Sequence, residues 1–357
     1  MPEVARGQAA SSYQDGTLRI ALPGDRQMED DTVKFLAECG LAVWRPSARQ
    51  YIGSIASIKG VSVLFQRSVD IPGTLDEGAV DLAVVGYERF LESRDDEGES
   101  TVVIRDLGYA RCQLVIAVPN AWDHVNTVED LAKVAAGAQT KGGLRVATKY
   151  HRLVGRFLAQ RGVKAFRSIQ VSGGVEAAPQ IDTADIVCDI ASSGGTLREN
   201  NLKILENGVI VQSASCLVAN KRLLRGNAAK LEAAKTIVEF IESRLRAVGF
   251  YHIIANVRGD SVESVARQVM QSADLAGMQG PTVANVVSQT GEMGWYSVSV
   301  VVPIARLTYG VDHLRRIGAS GVVVFPAYYV FESRSEAFRT LQEELSGAKP
   351  AWLEEIP

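Results

Sequence analysis

The chain has 357 residues, of which 46% are hydrophobic and 22% charged, with a formal net charge of −3. That length accommodates two or three domains with ordinary cores, and the near-neutral balance speaks against a nucleic-acid partner held by bulk electrostatics. No apolar run reaches membrane-spanning length, and the opening MPEVARGQAASSYQDG lacks the apolar centre of a secretion signal, so a soluble, cytoplasmic protein away from membranes is expected.

Short apolar runs alternate with helical patterns, the mark of parallel α/β architecture. A strand over 18–22 stops at Pro23, and an amphipathic helix over 31–39 is closed by Gly40. Strands follow at 61–65 and, after a helix over 71–77, at 81–85, which ends at Gly86. A further strand at 113–118 stops at Pro119. A helix over 127–136 and the flexible GAQTKGG at 137–143 then mark a crossover into a second lobe. Strands there are expected at 144–148, 168–171 and 186–190, with helices around 150–161 and 197–206. Residues 208–219 read as a hairpin or return strand, and 228–248 as a long helix. The expectation is a first lobe over 17–119, rejoined by about 213–249, and a second over 120–212, with a cleft between them.

Residues 250–335 run strand, helix, strand, strand, helix, strand, the ferredoxin-like βαββαβ order, with Gly318 placed as a helix C-cap before the last strand. Residues 1–16 and 336–357 read as flexible ends, the latter a short exposed helix and a loose terminus without functional signal. Cys39, Cys112, Cys188 and Cys216 lack C-x-x-C spacing and read as reduced thiols. His124, His151, His252 and His313 are scattered and offer no metal-ligand spacing, so no protein-held metal is expected.

The most informative stretch is ADIVCDIASSGGTLRENNLK at 184–203. An apolar strand carries Asp185 at its start and Asp189 near its end, then gives way to Ser192, Ser193, Gly194 and Gly195. Thr196 and Glu199 have capping-box spacing. Strand, small-residue loop and helix start make an anion cradle of backbone N–H groups. Carboxylates beside it suit the hydroxyls of a ribose phosphate.

This stretch resembles the phosphoribosyl-diphosphate loop of the ATP phosphoribosyltransferase family, whose pattern reads G-x-x-E-x-x-P, then A-D-x-I-x-D-x-x-x-S/T-G-x-T-L-x-x-N-x-L. Gly173, Glu176 and Pro179 match the first part; Ala184, Asp185, Ile186, Asp189, Ser193, Gly194, Thr196, Leu197, Asn200 and Leu202 match the second. QRSVDIP at 66–72 and DEGAVDLAVVG at 76–86 are similar to the family's R-x-x-D-I-P and G-x-x-D-L-x-x-x-G. ATKYH at 147–151 matches its A-T-x-Y segment near the cleft. In the tail, NVRGD at 256–260, QGPT at 279–282 and GASGV at 318–322 look similar to plant-type long forms.

The resemblance covers about residues 17–335. It implies a two-lobed, type II periplasmic-binding-protein-like catalytic core plus a ferredoxin-like regulatory domain. It also implies transfer of phosphoribosyl from its diphosphate to N1 of ATP, releasing pyrophosphate. On this reading the loop at 192–196 takes the 5-phosphate, while Glu176 and Asp189 take the ribose hydroxyls. Arg26, Arg49, Arg67, Asp70 and Gly86 serve ATP and diphosphate, Arg49 and Arg67 acting electrostatically; plain turn chemistry equally explains Asp70, a natural N-cap, and Gly86. Asp185 reads as a structural strand-start acid. Adenine N1 has a free lone pair and no proton to lose, so no protein nucleophile or base is demanded. Mg²⁺ would ride mainly on substrate oxygens. The resemblance further implies histidine as an allosteric inhibitor bound near Asn256, Thr282 and Gly321, and a homo-hexamer built from dimers.

One position departs from the family. The lysine expected after the first strand is missing from PGDRQM at 23–28, where Asp25 stands in an ungapped alignment. Two alternatives therefore stay open: a catalytically weak or regulatory relative, and a two-lobed small-ligand-binding protein.

Overall fold

The computed structural model describes residues 16–138, 142–171, 173–275, 277, 280–287 and 293–355. The expected loose stretch at 1–15, residues 139–141 of the glycine-bearing linker and Gln279 of the tail motif lie outside the described residues. The chain forms two compact units, one of residues 1–238 and 336–357 and the other of 239–335.

The first unit begins with β1 (Leu18–Pro23), α1 (Arg26–Glu38), β2 (Val43–Trp44), β3 (Ile52–Ile55) and β4 (Val61–Gln66). α2 (Ile71–Asp76), β5 (Leu82–Gly86), α3 (Tyr87–Ser93) and β6 (Ser100–Ile104) follow. The chain then crosses to β7 (Cys112–Pro119), α4 (Val128–Ala138), β8 (Leu144–Thr148), α5 (His151–Gln160) and β9 (Phe166–Gln170). β10 (Ile186–Ala191), α6 (Gly195–Glu199) and β11 (Leu202–Ser213) complete this second lobe. β12 (Ser215–Asn220), α7 (Lys221–Leu224) and the first half of α8 (Ala228–Ala247) return to the first, and α8 continues into the second unit from residue 239.

Among the described residues, lobe I is a sheet of order β2-β3-β4-β1-β5-β12-β6 and lobe II one of order β11-β7-β10-β8-β9. β1 runs parallel to β4 and β5, whereas β12, arriving from lobe II, is antiparallel to β5. β8 runs parallel to β9 and β10, whereas β7, arriving from lobe I, is antiparallel to β10. Each lobe thus has a parallel centre and one antiparallel strand delivered by the other, the arrangement of a type II periplasmic-binding-protein-like core. β5 and β12 are buried along their apolar runs, as strands covered on both faces must be.

The lobes share a local device. Leu18-Arg19-Ile20-Ala21 opens β1 and Leu144-Arg145-Val146-Ala147 opens β8. Just before the neighbouring strand stands an aspartate: Asp81 accepts from the Arg19 amide at 2.7 Å, and Asp185 from the Arg145 amide at 2.7 Å. Asp81 is fully buried and also accepts from Lys230 Nζ at 2.7 Å. Asp185 takes the Arg145 guanidinium, with Nη2 at 2.8 Å. Both carboxylates hold strands in register; the structural reading of Asp185 is the one this geometry supports.

Three expectations need correction. The strand at 113–118 was expected in lobe I, but β7 pairs with β10 and β11; the crossover is at 105–111, where Gly108 and Ala110 have φ of 86° and 52°. The helix expected over 197–206 stops at Glu199, because β11 begins at Leu202 and pairs with β7. Of the two readings of 208–219, the hairpin is excluded and the return strand holds: β11 ends in the lobe II sheet and β12 runs back into that of lobe I.

The second unit carries β13 (Phe250–Arg258), α9 (Val262–Val269), β14 (Thr282–Asn285), β15 (Trp295–Pro303), α10 (Ile304–Arg316) and β16 (Ser320–Pro326). Its antiparallel sheet has the order β14-β15-β13-β16, the ferredoxin-like pairing of the expected βαββαβ sequence. Ile253, Ala255 and Val257 face a core shared with Val265, Val269 and Leu314 of the two helices. Gly318, with φ of 84°, caps α10 as its position suggested.

The remaining correction concerns the tail. α11 (Glu336–Leu345) belongs to the first unit and buries Phe338, Leu341 and Glu344. Trp352 is buried edge-on against Phe90 of α3, ring centroids 5.4 Å apart, beneath the Arg94 guanidinium. Its Nε1 donates to Thr101 Oγ1 at 2.9 Å, and the Thr101 hydroxyl donates to the Glu344 carboxylate. The acidic helix looked solvated in sequence, but Thr101 gives its buried carboxylate a partner. No described helix is long and apolar enough to cross a membrane.

Candidate active-site cleft

The crossovers between the lobes surround a cavity of about 410 Å³ lined by Arg105, Arg111, Cys112, Ser192 and Ser213 among others. β10 delivers Asp189 and then the small-residue loop to this region. Ser192, Ser193 and Thr196 are exposed, while Gly194 is buried with φ of 70°, a left-handed turn that a side chain would strain. That turn lets α6 begin at Gly195, two residues before the expected start. Thr196 therefore lies inside the first turn and forms no capping box with Glu199; Gly194 is the N-cap. The nearest approach to a cap is Ser193 Oγ, which accepts from the Gly195 amide at a long 3.4 Å. α6 has only five residues, so its dipole is small, and the cradle consists of first-turn amides and free hydroxyls.

Glu176 sits in a single 3-10 turn, Val175–Ala177, entered through Gly174 in the left-handed region and packed beside β10. That packing brings its charge to bear on Asp189. Burial pushes the Asp189 carboxyl above the ordinary aspartate range, and the Glu176 charge adds to that; the Ile190 amide, Lys149 and Arg89 pull the other way. Lys149 and Arg89 were not singled out in the sequence; Tyr150, the tyrosine of the matched A-T-x-Y segment, has its ring centroid 4.5 Å from the Arg89 guanidinium carbon. A charged residue in the first turn of a short helix carries no signal that separates it from a solvated face.

On the lobe I side, the turn after β5 is filled by the protein itself. A Cβ at Gly86 would meet both carboxylate oxygens of Glu88 at 2.8 Å. Glu88 is buried and accepts from the Ser213 hydroxyl, so a side chain at Gly86 would have to displace that carboxylate. α3 also spans the lobes: Glu92 accepts from the Arg152 and Leu153 amides at 2.9 Å each, at the start of α5. Cys112, in the cavity wall, has its thiol pushed up to about 11 by burial and the Glu88 charge, which leaves it a poor nucleophile.

The residues assigned to ATP are scattered over the surface of lobe I. Arg26 and Arg49 are exposed, Arg26 as the first residue of α1. Arg67 pairs with Asp70 at 2.8 Å, so Asp70, although at the N-cap of α2, spends its carboxylate on arginine and not on helix amides. Asp25, at the position of the missing lysine, accepts from the Ser68 amide at 2.7 Å and ties the turn after β1 to the turn after β4. Among the described residues, no group of three or more His, Cys, Asp or Glu side chains could hold a metal ion.

In the second unit, Asn256 lies on the sheet face opposite the helices, paired with Ser297 on β15 and Ser320 on β16. Gly321 is the next residue on β16, in the left-handed region with φ of 62°. Thr282 is on β14, opposite Ser299 of β15, so it is two strands away from Asn256.

A family model described as ATP phosphoribosyltransferase matches residues 67–243, and one described as the HisG C-terminal domain matches residues 247–328. ATP phosphoribosyltransferase 1, chloroplastic, of Arabidopsis thaliana is 34% identical over 346 residues, covering 96% of this chain and 84% of the relative. ATP phosphoribosyltransferase of Nitrobacter winogradskyi is 31% identical over 329 residues, covering 91% and 98%. A solved ATP phosphoribosyl transferase (HisG:HisZ) complex from Thermotoga maritima is 25% identical, covers 63% of this chain and 98% of that one, and has a TM-score of 0.49. The chain therefore belongs to the ATP phosphoribosyltransferase family, the transferases of the first step of histidine biosynthesis.

Proposed function

We propose that the 5-phosphate of phosphoribosyl diphosphate is bound by the 192–196 loop and that Glu176 and Asp189 accept hydrogen bonds from the ribose hydroxyls. The observation that carries this is the packing of the Glu176 turn beside β10, which brings Glu176, Asp189 and a strand end with exposed hydroxyls and a left-handed glycine into one region. In the transfer, adenine N1 attacks ribose C1 as the bond to pyrophosphate breaks. The protein's task is to align two polyanions and favour positive charge at C1, which two nearby carboxylates do electrostatically. Arg26, Arg49 and Arg67 serve the phosphates of ATP, the exposed pair Arg67–Asp70 opening to do so. Mg²⁺ would neutralise the departing diphosphate, held mainly by substrate oxygens.

Histidine control is assigned to the outer sheet face of the second unit, with Asn256, Thr282 and Gly321 as contacts. A homo-hexamer built from dimers and a cytoplasmic location complete the reading and rest on the family resemblance.

The test is product formation from ATP, phosphoribosyl diphosphate and Mg²⁺ with pyrophosphatase, with and without histidine. N1-phosphoribosyl-ATP should form, and Asn256→Ala should keep basal activity while losing histidine inhibition. Binding of both substrates without product would favour the weak or regulatory relative. Point variants are needed because deleting 250–357 would also strip the buried tail from the first unit. Inhibition unchanged in both Asn256→Ala and Thr282→Ala would remove the proposed regulatory face.

A further inference from the structure

A site that places two carboxylates on the ribose has to supply positive charge for the diphosphate on the adjacent carbon. C1 is one bond from the hydroxyl-bearing C2. A cation that stands beside Asp189 but outside the 192–196 loop is therefore placed to take that diphosphate.

Two residues meet that description. Lys149 follows β8 in lobe II, where Thr148 pairs with Cys188 and so sets Lys149 beside Asp189, and Arg89 lies in the first turn of α3 in lobe I, against the residue after Lys149. Neither has a carboxylate partner within ion-pair distance among the described residues, in contrast to Arg67 with Asp70 and Arg111 with Asp106. The turn after β1 cannot contribute a cation at position 25, because Asp25 is there and is engaged with the Ser68 amide. Arg89 is also pre-oriented. Its guanidinium lies over the ring of Tyr150, the residue after Lys149, and α3 is anchored across the lobes by Glu92 on the α5 amides. A stacked guanidinium keeps its edge N–H groups free for a bidentate phosphate contact.

We propose that Arg89 and Lys149 form a two-lobe clamp that binds the diphosphate of phosphoribosyl diphosphate, one cation from each lobe. The proposal rests on the assignment of the ribose to Glu176 and Asp189. It makes both residues substrate contacts and makes diphosphate binding dependent on how the lobes are held together.

The experiment is steady-state kinetics of the full chain varying phosphoribosyl diphosphate at saturating ATP, with ribose 5-phosphate as a probe that lacks the diphosphate. Arg89→Met and Lys149→Met should each raise KM for phosphoribosyl diphosphate about ten- to hundredfold. KM for ATP and inhibition by ribose 5-phosphate should change less than about threefold. Arg89→Lys should recover only part of the loss, since a point charge replaces a fork, and melting midpoints report any folding defect separately. The clamp is overturned if both Met variants keep the wild-type KM, or if ribose 5-phosphate binding weakens in parallel. If ribose 5-phosphate does not compete in the wild type, or if Asp189→Asn leaves its competition unchanged, the ribose assignment itself fails.

Discussion

The two lobes of the first unit solve the same folding problem and then diverge within a few residues. Each sets an aspartate before its third parallel strand and uses it to grip the amide of an arginine on the first, Asp81 with Arg19 and Asp185 with Arg145. After that strand, lobe I turns at once into α3 and fills the turn with the Glu88 carboxylate. Lobe II inserts Ser192, Ser193 and Gly194 before α6 and leaves hydroxyls and amides facing outward. One scaffold thus carries an occupied turn and an open one, and the ligand is proposed at the open turn, where the Gly195 amide has a long 3.4 Å contact with Ser193 Oγ and no carboxylate of the chain fills the space as Glu88 does in lobe I.

That contrast can be broken at several levels. The largest effect should come from the shared aspartates themselves. Asp81→Ala strips a fully buried charge from Lys230 and the Arg19 amide and should cost about 3–5 kcal/mol in denaturant unfolding. Asp185→Ala should cost less, about 1–2 kcal/mol, because its side chain is 28% exposed and solvent screens the pair. Equal costs would mean that the two devices are not graded by burial. The lobe II device should also show in acid. Burial alone would raise the Asp185 carboxyl, but the hydrogen bonds from Arg145 outweigh it and hold the carboxyl below its ordinary value. Its contribution is then complete above about pH 4 and lost as pH falls through the lowered folded-state value, so Asp185→Asn should flatten the acid side of a stability profile.

Smaller effects separate the open turn from the filled one. Asp189→Asn should lower kcat/KM for phosphoribosyl diphosphate about ten- to hundredfold. Because the folded-state carboxyl of Asp189 is raised, the acid limb of that profile should lie above the range of an ordinary aspartate and disappear in the variant. Glu88→Gln, whose amide oxygen still accepts from Ser213, should change the same quantity less than about fivefold; a larger loss would place the filled turn in the reaction. The smallest effect should be that of Asp25→Lys. Arg89 and Lys149 already supply charge on the diphosphate side, so restoring the family lysine should alter KM by less than about fivefold. A large gain would instead mark position 25 as the decayed part of the site.

Much of the architecture was readable because its signals are local. The run from Ile186 to Ile190, bounded by Asp185 and the small residues after it, is β10, and the βαββαβ order of the second unit emerged from strand and helix periods alone. What escaped was long-range or conformational. The apolar run of β7 identifies a strand but not which of two sheets takes it; pairing with β10, some 70 positions away, decides that. The spacing of Thr196 and Glu199 suggested a cap, but Gly194 could adopt a left-handed turn and moved the helix start. Asp189 and Glu176 were legible as a pair through family spacing, whereas Arg89 and Lys149 acquire meaning only when α3 is brought against the start of α5.

The buried tail bears on how the molecule is made. Thr101 is in β6, while its acceptor Glu344 and its donor Trp352 follow 243 and 251 residues later. Synthesis delivers a chain from its N-terminus, and early domains begin to fold as they emerge. Lobe I must then wait, with the face of Phe90 and the Thr101 hydroxyl uncovered, until the whole ferredoxin-like unit has left the ribosome. The part of the enzyme that is begun first is the part that is finished last.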